Sequence, residues 1–267
     1  MGFFQNNDWL GRPGPYFYNL EHIIFIIVAL ALCIVIPLLL RKKSEKTIKI
    51  ILISLWAFML ALDLTKYIQN WVGHALNGEA FSLTGYDLPL YTCSLILYTF
   101  PVAIFSKNDY IKRAATNFMC TILMFSGLIN FFLSFVLMDF SLFSFIGLHT
   151  MLYHGLMLLI PMIMLITGYY KPRWKDAYLG LIACAVFAIP IYILDACTGL
   201  DYMYIYNGLT MLPFYAIANA MPHPILWTLI AIVGYVGVSF VMQGIILGIK
   251  KLCQLINNKK VKVNTNN

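Results

Sequence analysis

The chain has 267 residues, of which 61% are hydrophobic and 11% charged, and a net charge of +7. Soluble domains carry about 45–50% apolar and about 25% charged residues. This composition therefore excludes a water-soluble globule, a secreted disulfide scaffold and a disordered chain, and it predicts an all-α, polytopic membrane helical bundle. The excess positive charge sits at the ends of apolar runs, where orientation in a membrane explains it without a nucleic-acid partner.

A helix needs about 20 mostly apolar residues to span the hydrocarbon core. In chain order the segments that meet this are 21–40, 47–69, 89–106, 112–138, 148–168, 176–198 and 224–248, so seven transmembrane helices are predicted. The fourth is long and carries Gly127 and Asn130, which predicts a tilt or a break. Pro37, Pro101, Pro161 and Pro190 fall inside spans and predict kinks, which neighbouring helices make tolerable. No internal repeat or soluble domain interrupts the pattern. Residues 1–250 read as one transmembrane domain and 251–267 as a polar cytoplasmic tail, with NNKKVKVNTNN from Asn257 predicted to be disordered. No charged leader or A-x-A site precedes the first apolar run, so no cleaved signal peptide is expected.

Charge sets the expected orientation. Arg41, Lys42, Lys43, Lys46 and Lys49 fill the first connection, Lys107, Lys112 and Arg113 the third, and Lys171, Arg173 and Lys175 the fifth. Lys250, Lys251, Lys259, Lys260 and Lys262 follow the last span. Of the 18 basic residues only Arg12 and Lys66 fall elsewhere. The positive-inside rule then predicts the N-terminus outside and the C-terminus in the cytoplasm.

Ionisable groups inside a span are costly, so each is a functional candidate until a structural role accounts for it. They are Glu21 and His22 in the first span, Asp63 and Lys66 in the second, His149 and His154 in the fifth, and Asp195 in the sixth; Cys93, Asn117 and Asn130 add weaker polarity. At about 1.5 Å per residue, Cys93 lies ~6 Å and His154 ~9 Å inside the outer ends of their spans. Asp63, Lys66, Asn130 and Asp195 fall at a similar level, which predicts a polar chamber opening toward the outer leaflet. The inner half holds little beyond Asn117. We assign substrate binding to Asp63, Lys66, Asn130 and Asp195, with Asp201 and Tyr202 at the start of the next connection.

Plainer readings stand beside this one. Asp63 and Lys66 are one turn apart and can neutralise each other as a structural pair. His154, alone in MLYHGLMLL, can serve as a helix–helix hydrogen-bond donor. His149 and His154 differ by about 140° around a helix and are not expected to pair; His149 reads as interfacial. Cys33, Cys120, Cys184 and Cys253 read as small packed hydrophobes, and Cys197 lies near the outer surface. The tyrosine-rich loop 199–223 fits an aromatic belt, with LPFYAIANAM as a short helix over the chamber. The scattered cysteines show no CxxC or zinc spacing. There is no Gly-rich phosphate loop, HExxH or GxSxG, so neither a metal nor a cofactor is expected.

Four stretches in order, FSLTGYDLPLYTCSL, HTMLYHGLMLLIP, GYYKPRWKD and DACTGLDYMYI, together resemble the YwaF-type family of bacterial integral membrane proteins. That family is related to an animal acyltransferase of ether phospholipids. The resemblance runs from about Trp71 to the end of the seventh span. It implies a cysteine–histidine acyl-transfer site, with Cys93 of LPLYTC as nucleophile and His154 of YHG as base, and a bacterial plasma membrane. Tyr91 stands where the family has histidine in LPLHxC, and Asp195 and Asp201 where it favours asparagine. The substrate so implied is a membrane phospholipid or lysophospholipid. The competing expectations are a non-enzymatic carrier or sensor of lipids or small molecules, and a structural membrane subunit.

Overall fold

The computed structural model describes residues 18–76, 88–134, 137, 140–208, 215–221 and 223–264. Every regular element among them is helical. Helix α1 (Leu20–Leu40) opens at Asn19, whose side chain accepts the His22 N–H at 2.9 Å and so satisfies one of the donors a helix start leaves open. It is followed by α2 (Glu45–Leu76) and α3 (Leu95–Phe105), the latter entered through a 3-10 turn at Thr92–Ser94. Then come α4 (Asp109–Phe132), α5 (Phe145–Ile166), α6 (Asp176–Thr198), the short α7 (Tyr215–Asn219) and α8 (Pro224–Asn264).

Six helices among the described residues are long and apolar enough to cross a membrane: α1, α2, α4, α5, α6 and α8. They form two layers by burial. The most apolar stretches of α4 and α5 are 67% buried, whereas those of α1, α2, α6 and α8 are only 17–22% buried. In the latter, residues such as Ile27, Val186 and Val233 face outward. Large apolar side chains on the outside and a packed centre are what a bilayer solvent selects. The first half of α4 packs on α3 and α6, its second half packs on α5, and α5 also packs on α1 and α2.

The third expected span departs from 89–106. Pro89 supplies no N–H and restricts Leu88 to extended backbone. The Leu90 N–H turns back to the Leu88 carbonyl at 2.9 Å, and Tyr91 is extended. Helix therefore begins only at Thr92, and the apolar helix Thr92–Phe105 is shorter than the other spans. Trp56 of α2 holds it in place, stacking on Phe100 at 5.6 Å and donating its indole N–H to the Leu97 carbonyl at 3.1 Å.

The fourth span breaks differently from the expectation. The irregularity is a π turn at Met119–Leu123 rather than a bend at Gly127, and α8 packs against it. The C-terminal segment predicted to be disordered is helical as far as Asn264. No Gly or Pro follows Gly248 to stop the helix, and Lys251, Leu252, Gln254 and Leu255 are good helix formers that carry α8 past residue 250. The expected short helix in the 199–223 loop is present as α7; residues 209–214 and Arg12 lie outside the described residues.

Candidate functional site

Cys93 sits in the 3-10 turn, partly buried, where the chain is not yet α-helical. Thr92–Phe105 rises about 20 Å from the connection at Ser106. The 3-10 turn that begins it is built into the protein interior, with Thr92 and Ser94 buried. Here protein fixes it on two sides. The Thr92 hydroxyl bonds the Tyr235 hydroxyl of α8 at 2.7 Å, and Tyr235 donates onward to the Met203 carbonyl at 2.8 Å. Tyr91 packs edge-on to Tyr202 at 5.3 Å and against Tyr204 at 5.5 Å.

Around Cys93 the structure gathers side chains from α2 and α5. Asp63, 4% exposed, and Lys66 form the ion pair that their spacing predicts, at 3.7 Å. The Lys66 ammonium also lies 4.6 Å from the Tyr67 ring. It acts electrostatically on Cys93, His149 and His154 alike. From α5, the Tyr153 hydroxyl comes beside Ser94 and into the field of Asp63, Cys93 and Tyr67, without a well-formed hydrogen bond of its own.

His154 is buried, and its Nδ1 lies 2.8 Å from the Thr150 carbonyl. A carbonyl only accepts, so Nδ1 carries the proton and Nε2 is left with its lone pair. That Nε2 has no hydrogen-bond partner among the described residues. His154 and Cys93 make no hydrogen bond to each other. Their helices are not packed side by side either: α3 packs on α2 and α4, while α5 reaches the Cys93 region through Tyr153. The Tyr153 ring meets His154 edge-on at 6.0 Å and stacks on His149 at 5.6 Å. His149 is buried, 7% exposed, within the same cluster. Its Nε2 also has no hydrogen-bond partner among the described residues.

The remaining assigned residues divide. Tyr202 is fully buried, between Tyr91 and the neighbourhood of Tyr67. Asp195 is fully buried near Asp201 and the Tyr202 backbone, and neither carboxylate oxygen has a hydrogen bond of good geometry. Asp201 instead shapes its own loop, accepting the N–H groups of Tyr206 at 3.1 Å and Asn207 at 3.2 Å. That loop is strained, with Met203 and Tyr204 at φ of 55° and 56°. Such geometry in non-glycine residues persists only where surroundings over-determine it, and Trp227 supplies this by donating to the Tyr204 carbonyl at 2.8 Å. At Gly208 any Cβ would collide with the Trp227 ring. Asn130 spends its amide on the Ser126 carbonyl one turn back, at 3.0 Å.

Toward the basic connections, where the sequence shows little beyond Asn117, there is a second polar cluster. Arg113 binds the fully buried Asp176 through two nitrogens and also donates to the Lys171 carbonyl at 3.0 Å. Asp176 further accepts from the Tyr170 hydroxyl at 3.0 Å and the Arg173 N–H at 2.8 Å. Burial holds the Tyr170 phenol above its usual range, so it remains a donor. Asn117 donates to Tyr170 at 3.2 Å and to Gln243 of α8 at 2.7 Å, and Gln243 donates to the Arg173 carbonyl at 2.7 Å. Gly180 lets α6 approach α4 here, since a Cβ would strike the Asn117 side-chain oxygen.

Among the described residues no three His, Cys, Asp or Glu side chains converge as a metal site. Cys33, Cys120 and Cys184 are buried as expected, but Cys253 is exposed on α8. Tyr153, Ser94, Tyr67 and Tyr235 were not among the assigned residues. The available signal was position: Tyr153 is four residues after His149 and so shares its face.

Apolar helices of spanning length around a polar centre define an integral membrane protein with a helical transmembrane domain. Residues 17–247 match the model of the TMEM164 family, and the chain belongs to that family. Comparison with curated proteins and with solved structures gives no match.

Proposed function

We propose that the cluster around Cys93 is a lipid acyl-transfer site, working as a transacylase on membrane phospholipids. The observation that carries this reading is that Tyr153 of α5, whose hydroxyl lies in the field of Cys93 and has no well-formed hydrogen bond among the described residues, also packs on His154, a histidine of fixed tautomer. Cysteine–histidine acyl transfer needs a thiolate and a neighbouring base, and contacts of this kind often tighten only when substrate binds. The bacterial YwaF-type placement, a plasma-membrane location and the seven-span topology belong to the same proposal. In it Thr92–Phe105 and the turn before it make the third crossing. The distribution of Lys and Arg supports the basic connections as cytoplasmic, which puts Cys93 on the outer side.

In the proposed cycle His154 Nε2 takes the thiol proton and the Cys93 sulfur attacks a phospholipid ester carbonyl. The ester C–O bond breaks, the imidazolium returns its proton to the departing oxygen, and a lysophospholipid leaves an acyl thioester behind. A second lysophospholipid then gives its hydroxyl proton to Nε2 and attacks the thioester. The C–S bond breaks and the thiol regains its proton. Lys66 and the Tyr153 O–H are the groups suited to the transient oxyanion; preorganised donors of this sort are typically worth about 3–4 kcal/mol each. An acyl group taken from a phospholipid frees this outer site from any need for cytoplasmic acyl-CoA.

The test is transfer of a labelled acyl chain from phospholipid to lysophospholipid in proteoliposomes, with wild type and Cys93→Ala at equal folded amounts. Loss of transfer in the variant alone is expected. A carrier or sensor of lipids or small molecules is favoured instead by Asp195, whose buried carboxylate has no good partner. That reading predicts that Cys93→Ala is silent and Asp195→Asn impairs ligand binding. Cysteine-accessibility mapping that found Cys93 open to the cytoplasm would remove the case against acyl-CoA.

A further inference from the structure

A separate cleft opens at the basic end of the bundle, about 20 Å along α3 from Cys93. Its volume is about 470 Å³, within the range of roughly 300–1,000 Å³ usual for small-molecule sites. Three parts of the chain build it: the α1–α2 connection, the start of α4 and the segment after α5. Lys43, Lys112 and Lys171 line it together with Glu45, Asp109 and Tyr169. Arg113 forms the back wall, and its charge is already matched by Asp176.

None of the three lysines is within ion-pair distance of a carboxylate among the described residues. Lys112 lies over the Tyr169 ring at 5.7 Å. The frame beneath them is rigid: Asn108 caps α4 by accepting the N–H groups of Tyr110 and Ile111, and Arg113 ties α4 to Lys171. Three cations are thus held open on a fixed scaffold where helix ends meet the headgroup layer. The carboxylates of Glu45 and Asp109 stand among these lysines, so the cleft offers both signs of charge to a ligand.

We propose that this cleft binds the headgroup of a phospholipid, with its phosphodiester on Lys43, Lys112 and Lys171. A polyanionic soluble phosphate would also meet Glu45 and Asp109 and be repelled. A phosphodiester bearing an ammonium group, as in phosphatidylethanolamine, suits both signs and can place its cation against the carboxylates and the Tyr169 ring. Under the proposed orientation the lipid comes from the inner leaflet. The proposal does not depend on Cys93 chemistry.

The test is a titration of the purified full chain in detergent with phosphatidylethanolamine, followed by native mass spectrometry. Each lysine beside a lipid phosphate is worth about fivefold in affinity. Lys43→Gln/Lys112→Gln/Lys171→Gln should bind about 100-fold more weakly and Lys171→Gln alone about fivefold more weakly. The control Lys42→Gln/Lys107→Gln/Lys175→Gln, which removes three charges outside the cleft, should bind as wild type. Neither inorganic phosphate nor coenzyme A at micromolar concentration should displace the lipid. Unchanged binding in both Lys171→Gln and the triple variant, or equal loss in the control, would overturn the site. Displacement by micromolar coenzyme A would overturn the lipid as its occupant and assign the lysines to a soluble phosphate ligand.

Discussion

The two polar clusters of this bundle are built from similar residue types and differ in how their hydrogen bonds are used. At the basic end Arg113, Asp176, Tyr170, Asn117 and Gln243 are tied together by hydrogen bonds, and among the described residues the Asn117 side-chain oxygen is their one buried polar atom without a partner. Around Cys93 the pattern is reversed: Tyr153, His149 and His154 are buried with polar atoms unpaired, and Asp195 lies nearby in the same condition. A buried polar atom without a partner costs about 1–3 kcal/mol. Such groups in native proteins call for a functional explanation. The basic-end cluster is organised for stability, whereas the Cys93 cluster keeps groups available at a cost in stability. One region locks α4, α6 and α8 together, and the other leaves buried polar atoms without partners among the described residues.

This contrast predicts opposite responses to mutation, and the largest belongs to the basic end. Asp176→Ala leaves Arg113 without its partner and strips acceptors from Tyr170 and Arg173. Breaking a buried pair from one side costs about 3–5 kcal/mol, so a steep fall in thermal stability in detergent is expected; a loss below about 1 kcal/mol would make this network dispensable. Gly180→Ala drives a methyl group into Asn117 and should cost about 1–3 kcal/mol, read as a lower melting temperature with transfer per folded molecule unchanged. The smallest stability effect belongs to the other cluster and should carry the opposite sign. Tyr153→Phe deletes an unpaired buried hydroxyl, so melting temperature should hold or rise by the equivalent of up to about 1 kcal/mol. Acyl transfer should nonetheless fall at least tenfold. Destabilisation by Tyr153→Phe would show that its hydroxyl is as firmly bonded as those at the basic end.

Much of the architecture is legible in the sequence because hydropathy is a direct record of lipid contact. The expected spans 21–40, 148–168 and 176–198 fall close to α1, α5 and α6. The structural pair that the spacing of Asp63 and Lys66 suggests does form, with Asp63 buried on α2. The shortening of α3 was less visible, because residues 88–91 are as apolar as a helix would be and only Pro89 marks the break. The π turn in α4 has no residue signature, since packing against α8 settles it. Arg113 and Asp176 read as charges flanking the membrane, and nothing local to either shows that residues 63 positions apart form a buried pair. Tyr153 was hidden for a similar reason: in an apolar run a tyrosine reads as bulk until its hydroxyl is seen beside Ser94. Asn130 and Asp201 show the converse, since polarity at the right depth was absorbed by local backbone hydrogen bonds.

The central claim, that Cys93 stands in a cluster kept open for chemistry, is tested most directly by looking for the covalent intermediate. Purified protein incubated with a phospholipid of defined acyl chain, without acceptor, would be analysed by intact-mass and peptide mass spectrometry. The account predicts a mass increase of one acyl group on the peptide containing Cys93, removed by neutral hydroxylamine and absent in Cys93→Ala. A protein that transfers acyl chains with no thioester at Cys93, or whose Cys93→Ala variant transfers as well as wild type, would contradict it.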